Sequence, residues 1–209
     1  MLFFFLKAYL IGFAIAAPIG PISVLAIRRA LTVSLPVGLA TGVGCAVADG
    51  LLAAIPAFGL TLIADWLAAH THIMAAIAGA LLAVLGALMW RHKPRMTAVQ
   101  PAVSASTLTG AFGSGFALTL INPANMLAFA AAFAALDMID SDFGTAQALL
   151  ATLGCLAGAL SAWVLAVCVP YFWLRQSVDT HLNRLNKLCA GILICGGLFM
   201  VLRFILPAA

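Results

Sequence analysis

The sequence predicts an all-α polytopic membrane protein of six transmembrane helices, built as two inverted three-helix repeats with helices 1 and 4 broken at prolines. Three observations carry that expectation. The 209 residues are 65% hydrophobic and 8% charged, with a mean hydropathy of +1.18, whereas about a quarter of a soluble domain is charged. Six runs with at most one charge follow one another along the chain, each long enough to cross about 30 Å of hydrocarbon. Two of these runs are interrupted at corresponding places, Ala17-Pro18-Ile19-Gly20-Pro21 and Ile121-Asn122-Pro123.

The first run, Ala8 to Ile27, contains the Pro-Ile-Gly-Pro element. Ala14-Ile15-Ala16 resembles a signal-peptide cleavage site. However, no basic residue precedes the apolar stretch and Lys7 interrupts it, so the segment is expected to remain as part of the first span. The second run, Ala30 to Ala64, holds a single acid, Asp49, and the third extends from Ile73 to Trp90. The fourth, Leu108 to Leu136, is broken at Asn122-Pro123. It reads either as two half-helices or as a re-entrant segment, since about 20 residues suffice to span. The fifth and sixth runs are Phe143 to Leu174 and Leu188 to Leu206, the last with one arginine. The whole chain, residues 1–209, reads as one transporter-like domain: a first repeat over about 1–91, a polar linker over about 92–107 and a second repeat over about 108–209.

Charge sets the orientation. Arg28 and Arg29 follow the first span, Arg91, Lys93 and Arg95 the third, and Arg175, Arg184 and Lys187 lie between the fifth and sixth. The loops holding Asp65, His70 and His72, and Asp137, Asp140 and Asp142, contain no Lys or Arg. Basic loops stay in the cytoplasm, so both termini should lie outside. The pI near 9.0 is thus a topology signal. No basic run interleaves with aromatics, and nucleic acid is not an expected partner.

Gly38 to Cys45 resembles Leu150 to Cys155, and Ala78-Gly79 resembles Ala190-Gly191, which suggests a duplication. With three helices per copy, the second must enter the bilayer from the opposite side. Gly38 with Gly42, and Gly154 with Gly158, have the GxxxG spacing that lets helix backbones approach. Spans 2 and 5 are expected to meet there, and the same surface would also suit a homodimer.

The breaks are where chemistry is expected. Pro18, Gly20 and Pro21 cannot share a regular helix, because proline lacks an N–H and fixes φ while glycine admits the conformations between. Asn122 and Pro123 break the fourth span in the same way, and Ser23 and Asn125 each stand two residues beyond a proline. Unwound backbone at bilayer depth persists only where protein or a wet cavity satisfies it. Half-helix N-termini there attract a carboxylate and free carbonyls attract an ammonium group, so an amino acid fits both. Ordinary proline kinks are the alternative. Asp49 is the one acid deep in an apolar run, where a charge is costly and should face the bundle interior. It suits a proton-coupling group, or else a structural carboxyl silent in transport.

Other chemistries find less. His70, His92 and His181, like His72, fall in expected loops without metal-ligand spacing. No nucleophilic triad or phosphate loop is present, and neither an enzyme nor a cofactor is expected. Cys45, Cys155, Cys168, Cys189 and Cys195 lie in apolar stretches, as small hydrophobe-like residues do. Cys45 and Cys155 match in the repeat, which leaves a membrane thiol–disulfide carrier as the rival reading. Neither break has a cysteine beside its prolines to serve as an activated thiolate.

Taken together, Pro18-Ile19-Gly20-Pro21, Arg28-Arg29, Ala48-Asp49 and Asn122-Pro123 resemble the LysE/RhtB-type amino-acid exporter superfamily over nearly the whole chain. That resemblance implies a multi-pass protein of the bacterial inner membrane exporting amino acids or related small metabolites, driven by an ion gradient. Its basic-amino-acid branch carries an acid shortly after the Asn-Pro. Here Ala124-Asn125-Met126-Leu127-Ala128 follows, which argues against carrying over lysine or arginine specificity. The wider superfamily also includes metal-ion exporters and thiol-redox carriers, so the fold alone does not choose among them.

Overall fold

Proline chemistry and charge placement divide the chain into helices. The computed structural model describes residues 2–17, 20–60, 69–91, 104–135, 144–174 and 178–205. Pro18, Asp65, His92, the acids Asp137, Asp140 and Asp142, and residues 92–103 of the expected linker lie outside the described residues. Among the described residues there are eight helices: α1 (Leu2–Ala16), α2 (Pro21–Thr32), α3 (Leu35–Ala57), α4 (Thr71–Arg91), α5 (Ala105–Leu120), α6 (Pro123–Ala135), α7 (Thr145–Leu174) and α8 (Val178–Ile205).

The two expected breaks separate helices. α1 stops at Ala16, and the residue ahead of a proline is driven out of helical geometry. α2 begins at Pro21, whose fixed φ and missing N–H suit the first helical position. Gly20 caps it in extended conformation, and the Gly20 N–H donates to the Ser23 hydroxyl at 3.5 Å. The axes of α1 and α2 are bent by 80° and those of α5 and α6 by 62°. At the second break the Asn122 side-chain oxygen accepts from the Ala124 N–H at 3.2 Å, satisfying one of the otherwise free donors at the start of α6.

By length and composition α3 and α7 can each cross a bilayer, and each bent pair does so when counted as one span, giving two to four spans among the described residues. α4 and α8 hold shorter apolar stretches, Ala76–Leu88 and Lys187–Phe199. Leu10, Leu51, Val84, Leu153, Phe172 and Trp173 are all exposed on the outside. A soluble protein rarely leaves so much apolar surface bare; lipid covers it at no cost. The chain is thus built as a polytopic membrane protein.

The helices pair across the two halves. α1 lies along α7, α5 along α3, α4 along α8, and α3 against α7. Glycines make the first two contacts close: a Cβ on Gly44 would meet the Phe112 carbonyl and one on Gly115 the Thr41 carbonyl, while Gly12 and Gly158 abut the backbone of Cys155 and Tyr9. The expected meeting of the GxxxG motifs of spans 2 and 5 is corrected in detail. α3 and α7 do pack together, with Gly42 against Trp163, but Gly38 faces Ala26 and Ala30 of α2, and Gly154 and Gly158 face α1. Gly38, Gly154 and Gly158 are thus used by α2 and α1, the helices on either side of the first break, and Gly42 alone of the four serves the α3–α7 contact.

Candidate solute site

Both breaks open onto one cavity of about 470 Å³. Gly20, Pro21 and Ser23 contribute from the start of α2, Asp49 from the middle of α3, and Asn122, Ala124 and Asn125 from the start of α6. Leu118 and Thr119 of α5, Ala78 and Leu82 of α4, and Trp163 of α7 complete much of the wall. Pro123 lies between Asn122 and Ala124 as the first residue of α6.

Asp49 is fully buried and, among the described residues, is the one charged residue lining this cavity. Its Oδ1 accepts from Asn125 Nδ2 at 2.9 Å and its Oδ2 from Trp163 Nε1 at 3.3 Å. Asn122 Nδ2 in turn donates to Asn125 Oδ1 at 3.3 Å. A buried carboxylate is normally held by a cation or by several donors. Here the two donors are neutral, so its charge is satisfied by dipoles alone. The relay Asn122–Asn125–Asp49 links the break between α5 and α6 to the middle of α3.

Trp163 and Thr119 are site residues that the sequence reading missed. Tryptophan normally belongs at the membrane–water interface, and a tryptophan in the middle of the long apolar run that forms α7 was the available signal. Thr119 places a buried hydroxyl at the cavity wall, and nothing in its sequence context marks it.

Arg29 departs from the simple expectation of an interfacial anchor. Its Nη1 donates to Thr41 Oγ1 at 2.9 Å, to Ser114 Oγ at 2.7 Å and to the Ala111 carbonyl at 3.4 Å. The guanidinium therefore turns inward and ties α2 to α3 and α5. Thr41 lies eight residues before Asp49 on α3, about 12 Å along the helix. The tie is thus a separate layer, on the side of the cavity where the basic loops lie.

Cys45 and Cys155 are fully buried and neither lines the cavity. The Cys155 thiol donates to the Ala8 carbonyl at 3.2 Å. Both serve helix packing: Cys45 lies beside Gly115 and Cys155 beside Gly12, each at a close contact between helices.

Residues 13–203 match the family model described as LysE type translocator. The chain belongs to the LysE type translocator family. Its members are membrane transporters and not enzymes, so a small-molecule solute and a bilayer are the partners this fold serves. A curated protein described as chemotactic transduction protein ChpE, from Pseudomonas aeruginosa, is 29% identical over 208 residues, covering 97% of this chain and 99% of that protein. That description names no solute. No solved structure matches the chain.

Proposed function

We propose that this family member is a six-span secondary exporter of amino acids or related small metabolites, coupled to protons through Asp49. The solute would occupy the cavity between the breaks, with Gly20, Pro21, Ser23, Asn122 and Asn125 around it. The observation that carries the reading is the Asn125–Asp49 hydrogen bond at that cavity, which joins the break of one half to the acid of the other.

The packing supports the inverted repeat. Exchanging spans 1 and 4, 2 and 5, and 3 and 6 turns the α1–α7 contact into the α5–α3 contact and leaves the α3–α7 and α4–α8 contacts unchanged. One departure is informative. α2 packs on α3 and α8, while its counterpart α6 barely meets α4. Two related halves packed unequally around one site are what an alternating-access protein presents in one of its end states. With α2 seated and Arg29 tied, the closed side is the one bearing the basic loops, which by the basic-loop rule would be cytoplasmic with the termini outside.

Donor counting supports proton coupling. As a carboxylate, Asp49 accepts from both Asn125 and Trp163. Once protonated, one of its oxygens becomes a donor facing a donor. If that oxygen is Oδ1, the Asn125 amide must turn to present its oxygen, which places its nitrogen against Asn122 Nδ2. Asn122 then turns as well, and its oxygen leaves the Ala124 N–H at the start of α6. A proton on α3 is thereby transmitted to the break of the other repeat. Thiol-carrier and metal-exporter readings gain no comparable support, since among the described residues the cavity wall holds no cysteine and a single acid.

The test is transport in proteoliposomes with an imposed proton gradient and a panel of labelled amino acids. At least one should accumulate against its gradient and stop doing so when an ionophore collapses the proton gradient. Accumulation of none of the panel, or accumulation indifferent to the ionophore, would contradict the proposal.

A further inference from the structure

We propose that the outer face of α4 and α8 carries a binding site for an anionic phospholipid, separate from the solute cavity. Two open apolar grooves adjoin on this face and share Trp90. The larger, about 640 Å³, is floored by Leu188, Gly191, Ile192 and Cys195; the smaller, about 270 Å³, runs beside Ala87 and Ile194. Each groove has a cation in its wall, Lys187 in the first and Arg91 in the second.

The levels agree with a lipid lying along the protein. From Thr71 to Trp90 α4 carries no charge, and α8 carries none from Leu188 to Leu202. Arg91 and Lys187 therefore stand where the apolar stretches end, at the depth of headgroups, and the grooves lie on the hydrocarbon side of them. Lys187 Nζ sits over the Trp90 ring, 5.8 Å from its centroid, a cation–π contact that fixes it above the shared wall. Among the described residues neither cation has an acidic partner. Two cations flanking a tryptophan above two apolar grooves match a phosphate-bearing headgroup with two acyl chains. Basic residues between transmembrane helices on the cytoplasmic side recognise anionic lipid in this way.

Gly191 supplies a clean test, because a Cβ built there meets nothing within 4 Å and would enter the groove. Gly191→Leu should fill the groove without disturbing the fold. Native mass spectrometry of the purified protein titrated with phosphatidylglycerol or phosphatidylcholine would count bound lipid. The intact protein should prefer phosphatidylglycerol by about 30-fold, the combined effect expected of two interfacial cations. R91Q/K187Q should lose that preference while still binding either lipid weakly. Gly191→Leu should lose retention of both lipids. Equal binding of the two lipids by the intact protein, or a preference that survives R91Q/K187Q, would overturn the proposal. So would full displacement by glycerol phosphate, which would make this an anion site without acyl-chain recognition. A dimer that Gly191→Leu splits would assign the face to a second copy instead.

Discussion

Asp49→Asn is expected to abolish gradient-driven accumulation of the solute while leaving exchange of solute for solute measurable. One proton moved through 100 mV contributes about 2.3 kcal/mol, which sustains a solute gradient of about 50-fold. With asparagine at this position no proton is carried and that gradient should relax to unity. The side chain is nearly isosteric, so the fold should survive. Asparagine offers one acceptor oxygen and a donor nitrogen where aspartate offers two acceptor oxygens, so Trp163 and Asn125 are both kept only if the Asn125 amide turns as it would toward protonated Asp49. Exchange should therefore slow without stopping. Full proton-driven accumulation by this variant would show that Asp49 is a structural carboxyl, and coupling would have to be sought elsewhere.

Arg29→Gln should open the cytoplasmic side. Hydrogen bonds from a charged donor contribute about 1.5–3 kcal/mol each, and Arg29 supplies two short ones, to Thr41 and Ser114, that hold α2 against α3 and α5. Losing even one should shift the balance between closed and open arrangements by about tenfold. Downhill solute leak from preloaded vesicles should rise accordingly, and the gradient that can be held should fall. Arg29→Lys keeps the charge but not the planar fork, and should fall between the two. Leak unchanged in both variants would return Arg29 to the role of an interfacial anchor.

The parts of this arrangement that depend on local chemistry were legible in the sequence. Proline without an N–H, an acid in an apolar run and asparagine beside a proline state their cost wherever they occur. Gly20, Pro21, Ser23, Asp49, Asn122 and Asn125 indeed border one cavity. The pairing of helices was not legible in the same way. In a bilayer the lipid-facing and protein-facing sides of a helix are both apolar, so no polar stripe marks the inner face. Alanine and glycine are spread widely enough that the glycines facing α1 could not be told from those facing α7. The inward turn of Arg29 was hidden for a related reason. Its partners Thr41 and Ser114 lie 12 and 85 residues away, and only the close contact at Gly44 and Gly115 brings them together. Trp163 was missed because a large apolar residue in an apolar helix reads first as core.

The most direct test of the central claim is thiol labelling of Ala124→Cys in a protein whose five cysteines are replaced by alanine. Ala124 is exposed and borders the cavity at the start of α6. If the space between the two breaks holds the solute and opens alternately, a membrane-impermeant reagent should reach this position from outside. Saturating transported solute should block it, and reversing the proton gradient should alter its rate. Retained export by this protein would also exclude a thiol carrier. Labelling indifferent to both solute and gradient would contradict the account.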